Sequence, residues 1–126
     1  MITKLLAEKH VEAFSIGEYQ SSLRTTGGYS ISIGCLCRFI GSDGSFLSVE
    51  DHKQMFGLPA PFDAESAIQK QITGRKINKV MLDEKTGDIT LFFDTGRLEI
   101  ICNSSGYESY QIYGPENLII VGRGGE

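Results

Sequence analysis

The feature that most constrains this fold is an alternation of apolar and polar residues, repeated between short turns that are rich in glycine. From residue 29 to 40 every second side chain is apolar, with a bulge or turn expected at Gly34, and FLSVED (46–51) returns after the turn GSDG. Beyond residue 74, further strand candidates occupy 76–83, 88–93, 97–102, 107–113 and 117–122. Because such short turns make neighbouring strands antiparallel, the pattern predicts an antiparallel sheet of roughly six to eight strands, curled or split into two layers.

The alternation also predicts which side chains of the second-half strands face inward. Within 107–113 the odd-numbered residues share one face and the even-numbered residues share the inward face. Glu108 therefore falls among inward side chains, where a carboxylate needs hydrogen-bonding partners. The predicted inward set is Ile77, Val80, Leu82, Ile89, Leu91, Phe93, Leu98, Ile100, Cys102, Tyr110, Ile112, Leu118 and Ile120.

Two segments show helical periodicity instead. Residues 3–14 carry apolar side chains along one face, and Gly17 can end that helix. Residues 64–72 follow Asp63, a good N-cap residue, and have one apolar side. The expected class is therefore α+β: a mainly antiparallel sheet with an N-terminal helix and a second short helix near 64–72.

A weak internal echo suggests that the chain is duplicated. TGGYSISIG (26–34) resembles TGDITLFFD (86–94), and CLCRFIGSDG (35–44) resembles RLEIICNSSG (97–106). The identities are few and fall mostly on turn residues, so two unrelated β-hairpins would match as well.

Length and composition favour one globular domain, residues 1–126, with an ordinary share of apolar and charged residues. No stretch is apolar for the roughly 18–20 residues that a membrane span needs. The N-terminus carries charges and lacks the apolar core of a signal peptide, so we expect a cytoplasmic protein.

The cysteines and histidines predict neither a disulfide scaffold nor a metal centre. Cys35, Cys37 and Cys102 are odd in number, and His10 and His52 do not supply ligands at finger-like spacing. We expect buried, reduced thiols and no bound metal or cofactor.

The net charge of −4 leans mildly toward the second half of the chain. This argues against general nucleic-acid binding, which requires a basic face, and permits a basic protein partner.

No catalytic constellation stands out. His52 lies beside Glu50 and Asp51, but adjacent strand residues face opposite sides and no nucleophile accompanies them, which favours ordinary surface charge. No serine lies in a G-x-S-x-G elbow, and no helix follows the terminal GRGGE to form a phosphate cradle. We therefore expect a binding protein and not an enzyme.

The second half of the chain resembles a family of small bacterial proteins with no assigned activity. The resemblance covers about residues 64–125 and is carried by GDITLFF (87–93), GRL (96–98), GYESY (106–110) and Gly114-Pro115, with Gly124-Gly125 at the end. Tyr110 stands where the family usually has tryptophan, and Arg123 stands in place of its last proline.

Proteins of this kind resemble orphan immunity proteins, which are encoded beside toxins of bacterial competition and each bind one toxin domain. The resemblance implies a toxin inhibitor and names no catalytic residues. Together with the acidic balance of the chain, it favours a basic toxin domain such as a nuclease as the partner. Acidic loop residues and strand tyrosines are the expected partner contacts, namely Asp83, Glu84, Asp88, Asp94, Tyr107 and Tyr113. The alternative is a small-molecule or peptide-binding module in which the tyrosine-rich strand lines a pocket.

Overall fold

Two five-stranded antiparallel sheets and two α-helices make up the protein in a computed structural model that describes residues 2–103 and 108–123. The predicted α+β class is confirmed, and of the two expected arrangements, curled or split into two layers, the split one is present. The ten strands of this described part of the chain exceed the six to eight expected, because the sequence pattern does not predict the strands at Val11–Ile16 and Ser21–Thr25. The helices are α1 (Ile2–Leu6) and α2 (Ala64–Ile72). The strands are β1 (Val11–Ile16), β2 (Ser21–Thr25), β3 (Tyr29–Ile33), β4 (Leu36–Gly41), β5 (Phe46–Ser48), β6 (Lys79–Leu82), β7 (Ile89–Phe93), β8 (Gly96–Ile101), β9 (Glu108–Gly114) and β10 (Leu118–Arg123).

The strand order is β1-β2-β3-β9-β10 in sheet I and β5-β4-β8-β7-β6 in sheet II. Alternate side chains of most strands are buried, and together with the apolar sides of both helices they form one hydrophobic cluster. The chain passes from sheet I to sheet II after β3 and returns after β8. All members of the predicted inward set are buried or half-buried.

Several local predictions are confirmed. The helix predicted at 64–72 spans Ala64–Ile72, and the Asp63 carboxylate accepts a hydrogen bond from Ser66 N at 2.9 Å, as an N-cap does. The break at Gly34 is real, because it sends β3 and β4 into different sheets. FLSVED is a strand only over Phe46–Ser48 and continues as a 3₁₀ turn at Val49–Asp51.

The predicted helix at 3–14 is wrong beyond its first turns. Helix α1 ends at Leu6, Glu8 adopts a left-handed backbone conformation (φ 70°), and Val11–Ile16 forms β1. The apolar residues at 11 and 14 fit one helical face, but here they point inward from a strand that has a bulge between Val11 and Ala13. Strand pairing with β2, which the sequence pattern did not reveal, overrides the helical periodicity.

The predicted inward position of Glu108 is also wrong. The pairing of β9 with β10 shifts between Gly122 and Arg123, so that Ser109 is an extra residue on β9. This bulge leaves both Ser109 and Tyr110 buried and turns Glu108 outward, where it is exposed.

The strand order shows that the two halves of the chain repeat one architecture. If each strand of β1 to β5 is exchanged with the strand five places later in the chain (β6 to β10), the strand order of sheet I becomes that of sheet II. Cross-strand neighbours at the sheet centres follow the same exchange. In sheet I, Leu23, Ile31 and Ile112 lie side by side on β2, β3 and β9, and they correspond to the row Leu91, Leu98 and Phe39 on β7, β8 and β4 of sheet II. The helices follow it too, since α1 packs on β6 and α2 packs on β1.

The closest correspondence lies where each helix leads into its first strand. Here equivalent residues are sixty-six positions apart, as in Leu6 and Ile72, and their buried apolar residues match. The two segments bond to each other reciprocally through Glu8 N to Ile77 O (2.8 Å), Gly74 N to Val11 O (2.8 Å), Val11 N to Arg75 O (3.0 Å) and Ile77 N to Lys9 O (2.7 Å). His10 and Lys76 pair at the centre, so an approximate two-fold axis passes between them.

The sequence echo therefore pointed to a real repeat but matched the wrong strands. It aligned β3 with β7 and β4 with β8, whereas the structural equivalent of β3 is β8 and that of β4 is β9. Glycine and serine recur in most of the turns, so turn composition alone cannot fix which hairpin corresponds to which.

Glu8 and Gly74 are equivalent residues in the same left-handed conformation (φ 70° and 79°), and only one of them is glycine. We expect Glu8→Gly to raise the free energy of unfolding by about 0.5–1 kcal/mol, because it removes the strain of a Cβ at positive φ. The exposed ion pair of Glu8 with Lys76 contributes little that would be lost. Urea denaturation measures the change.

The matched control is Gly74→Ala, for which a Cβ would meet no atom within 4 Å. Its cost is therefore backbone strain alone, and we expect a loss of about 1 kcal/mol. A neutral result for Gly74→Ala would contradict the assignment of strain to this position.

Candidate functional site

The most distinctive surface feature is a hydrogen-bonded loop at residues 53–62, which joins the two halves of the repeat. Its neck is closed by two backbone bonds, Lys53 N to Phe62 O and Phe62 N to Gln54 O, both 2.7 Å long. Leu58 N donates to Met55 O at 2.7 Å and closes a turn at the tip. Pro59 and Pro61 restrict the returning arm. The loop therefore has a defined shape of its own.

The tip of this loop holds large apolar side chains in solvent. Phe56 is 62% exposed, and Met55 and Leu58 are about half exposed. Phe56 has a φ of 48°, an unusual value for a bulky residue, and Gly57 follows it at 74°. The Phe56 ring contacts that of Phe62, with ring centroids 6.3 Å apart. Strained residues of this kind persist where the surrounding structure holds them and are frequent at functional sites.

The base of the loop is fixed to helix α2. The ring of His52 accepts a hydrogen bond from Glu65 N through Nδ1 at 3.3 Å and lies 3.8 Å from the Asp63 carboxylate. Glu65 in turn accepts from Ile16 N on β1 at 2.7 Å. His52, which the sequence placed among ordinary surface charges, therefore helps to cap α2 and to anchor the loop.

A cleft of about 500 Å³ lies beside this base, between the β1–β2 turn and the 3₁₀ turn. Its lining includes Glu18, Val49, His52 and Lys53. Tyr19, the neighbour of Glu18, is 87% exposed. The cleft thus lies between the base of the loop and the turn that carries this tyrosine.

Carboxylates predominate in the chain segment that contains these apolar side chains. Between residues 49 and 65 the sequence has four acidic residues and one lysine, and Glu18 adds a further carboxylate across the cleft. Glu50 and Asp63 are exposed. We call the loop tip (Met55, Phe56 and Leu58), Tyr19 and the carboxylates Glu18, Glu50 and Asp63 the loop surface. Apolar anchors with a charged rim are typical of protein-binding surfaces.

The predicted partner contacts do not form one surface. Asp83, Glu84 and Asp88 lie together in the β6–β7 turn, but two of these carboxylates hold the backbone. Asp83 accepts from the backbone N–H groups of the following turn at 2.9 and 3.2 Å, and Asp88 accepts from Cys102 N at 2.7 Å. Their partner-binding role stays a prediction.

The remaining predicted contacts lie elsewhere. Asp94 is in the β7–β8 turn at the other end of β7, roughly 20 Å from Asp88 for six residues of extended chain, and pairs with Arg75 at 3.4 Å. Tyr113 lies on the outer face of sheet I, partly exposed, with its hydroxyl bonded to the Gln111 side chain. Tyr107 lies outside the described residues.

The tyrosine-rich strand lends no support to an aromatic pocket. Tyr110 is almost fully buried, and its hydroxyl donates to Gly87 O at 2.9 Å. Burial raises the pKa of this phenol to about 12, so it stays a neutral donor. Tyr110 thus ties β9 of sheet I to the β6–β7 turn of sheet II.

The two prolines of GLPAPF (57–62) predict a connecting loop but do not predict its exposed apolar surface. The available signal was MFGLPAPF (55–62), in which a loop sequence contains several large apolar residues and no charge. Connecting loops usually run over the surface, so apolar residues in one are expected to be exposed.

The described residues contain neither a metal-binding cluster nor a membrane-spanning helix. No group of three or more histidine, cysteine, aspartate or glutamate side chains there could hold a metal ion. No helix within the described ranges is long and apolar enough to span a membrane.

No protein-family model, no curated protein and no solved structure matches this chain significantly. The resemblance of residues 64–125 to immunity-type proteins therefore stays a prediction.

If the loop surface is preformed, its neck amides must be protected from solvent exchange. We expect the amide protons of Lys53 and Phe62 to exchange at least about tenfold more slowly than those of Phe56 and Gly57 at the tip. Residue-resolved hydrogen exchange by NMR measures these rates. Uniformly fast exchange across 53–62 would show that the loop has no fixed shape in solution.

Proposed function

We propose that this protein is an immunity-type inhibitor that binds one bacterial toxin in the cytoplasm and occludes its active site. The observation that carries the proposal is the loop surface: a hydrogen-bonded loop that holds Phe56, Met55 and Leu58 in solvent, in a segment where carboxylates outnumber lysines. The resemblance of the second half to orphan immunity proteins supports the same class.

A preformed loop suits tight binding. Ordering a flexible segment on association costs free energy, and a loop that is already closed by backbone bonds avoids most of that cost. An exposed phenylalanine or methionine that enters a pocket on the partner is the kind of side chain that dominates binding energy. Phe56 is accordingly the central anchor of the proposed interface.

The acidic rim indicates the partner's charge. Glu18, Glu50 and Asp63 would face a basic surface, which in a nuclease is the surface that binds the phosphates of nucleic acid. An inhibitor seated there blocks the substrate by charge and by volume, without any bond being made or broken. The three carboxylates of the β6–β7 turn are not needed by this mechanism.

The test uses the toxin domain encoded beside the gene, co-expressed with the full chain in a sensitive bacterium. We expect the wild-type chain to restore growth and Phe56→Ser to weaken affinity for the purified toxin domain at least about tenfold, which is about 1.4 kcal/mol. Isothermal titration calorimetry measures the affinity. Raising the salt concentration is expected to slow association, since the rim acts through long-range attraction.

The matched control is Met81→Ser on β6, which removes a similarly exposed apolar side chain remote in sequence from the loop surface. It is expected to leave the affinity unchanged, and both variants are expected to unfold at the wild-type urea concentration. Failure of the wild-type chain to bind or neutralise the neighbouring toxin would refute the proposed function. Equal loss in both variants would refute the assignment of the interface.

A further inference from the structure

Two of the three cysteines lie at the two places where the chain crosses between the sheets. Cys35 lies between the end of β3 at Ile33 and the start of β4 at Leu36. Cys102 follows directly after the end of β8 at Ile101. They are equivalent positions of the repeat, because β3 corresponds to β8 and both cysteines come two residues after the last buried isoleucine of their strand. The approximate two-fold axis therefore relates the two thiols.

The strand register brings these cysteines close together. Leu36 of β4 and Ile101 of β8 are the last pair of their ladder, and Cys35 and Cys102 are the residues next beyond that pair on the two chains. Cys102 N donates to the Asp88 carboxylate, on the β7 side of β8. The Cys102 amide thus points away from β4.

That arrangement brings the two cysteines within reach of a disulfide. Paired residues of antiparallel strands have Cα atoms about 4.5–5.5 Å apart, and a disulfide spans roughly 4.4–6.8 Å between Cα atoms. Cys35 and Cys102 are the residues adjacent to such a pair, and both side chains belong to the hydrophobic cluster. The pair Cys37 and Ile100, two positions away, is fully buried on the inner face of the sheet.

The environment of the thiols agrees with close approach. Cys35 is buried and Cys102 half-buried in the same hydrophobic cluster. Burial and, as a smaller cause, the negative charge of the Cys102 thiolate raise the pKa of Cys35 to about 12, as expected of two thiols that lie close together. Burial also raises the pKa of Cys102, the more exposed of the two.

We propose that Cys35 and Cys102 form a reversible disulfide when the protein meets a low-molecular-weight disulfide oxidant. The Cys102 thiolate attacks one sulfur of the oxidant and releases a thiolate, leaving a mixed disulfide at Cys102. Cys35, after losing its proton, attacks the Cys102 sulfur and releases the second thiolate. Two protein thiols are oxidised, one oxidant disulfide is reduced, and the two thiol protons end on the two released thiolates.

The bond would fasten one sheet crossover to the other. It joins positions 35 and 102 and so closes most of the chain into one loop, which restricts the unfolded state strongly. We expect the melting temperature to rise by about 10 °C on oxidation. The raised pKa of Cys102 means that few thiolates exist at pH 7, so oxidation is expected to be slow there and faster at pH 9.

The experiment incubates the reduced full chain with oxidised glutathione and follows intact mass, tryptic peptides and melting temperature. Formation of the disulfide lowers the mass by about 2 Da. It links peptide 25–38, which contains Cys35 and Cys37, to peptide 98–123, which contains Cys102. Fragmentation of the linked pair is expected to place the bond at Cys35.

Variants separate the three thiols. Cys37→Ala is expected to keep both the linked peptides and the rise in melting temperature, whereas Cys35→Ser is expected to lose both and to retain glutathione at Cys102. Failure of the wild-type chain to form the link would overturn the proposal, as would a bond at Cys37 or a link that forms only between molecules. The proposal does not depend on toxin binding, so either can fail alone.

Discussion

The reciprocal hydrogen bonds between the two helix-to-strand segments hold the architecture together. Neither helix is long enough to be stable alone in water, since isolated helices shorter than about 12–15 residues are marginal. Each segment instead gives its backbone N–H and C=O groups to its counterpart across the His10–Lys76 pair. The bonds also set α1 against β6 and α2 against β1, so that each helix packs on the first strand of the other half. The two halves therefore depend on each other for burial.

The packing of each helix on the other half also protects a sheet edge that would otherwise be open. Strand β1 lies at the edge of sheet I, where unpaired backbone groups invite association with other chains. Helix α2 covers that edge with side chains, because Gln69 donates to Phe14 O and Glu65 accepts from Ile16 N, both at 2.7 Å. The backbone N–H of Glu65 also donates a hydrogen bond to His52 at the base of the 53–62 loop. Edge protection and the candidate interaction surface thus share one helix.

The sequence predicted the parts of the fold whose signals are local. Helix α2 has an N-cap and a clean apolar side, and β6 to β10 alternate between obvious turns. Strands β1 and β2 were missed because the apolar spacing from residue 2 to 14 fits a helix and because β2 (SSLRT) has only one large apolar residue. The bulge at Ser109, which turns the Glu108 side chain outward, arises from the pairing of β9 with β10. The sequence of β9 alone therefore does not predict it. The sequence did not predict the loop surface because the exposure of a loop residue depends on which other elements pack on it. A local sequence pattern does not contain that information.

The repeat explains where a surface of this kind can arise. Residues of the central sheet rows pack in the hydrophobic core, and the reciprocal hydrogen bonds join the two halves. The 53–62 loop connects the halves, and most of it contributes nothing to the reciprocal bonds or the central rows of the sheets. Phe56 can therefore occupy a strained, exposed conformation at little cost to the sandwich, because its loop is closed by bonds of its own. The loop is thus little constrained by the sheets and holds three large apolar side chains in water, an exposure that is favourable only when a partner covers them.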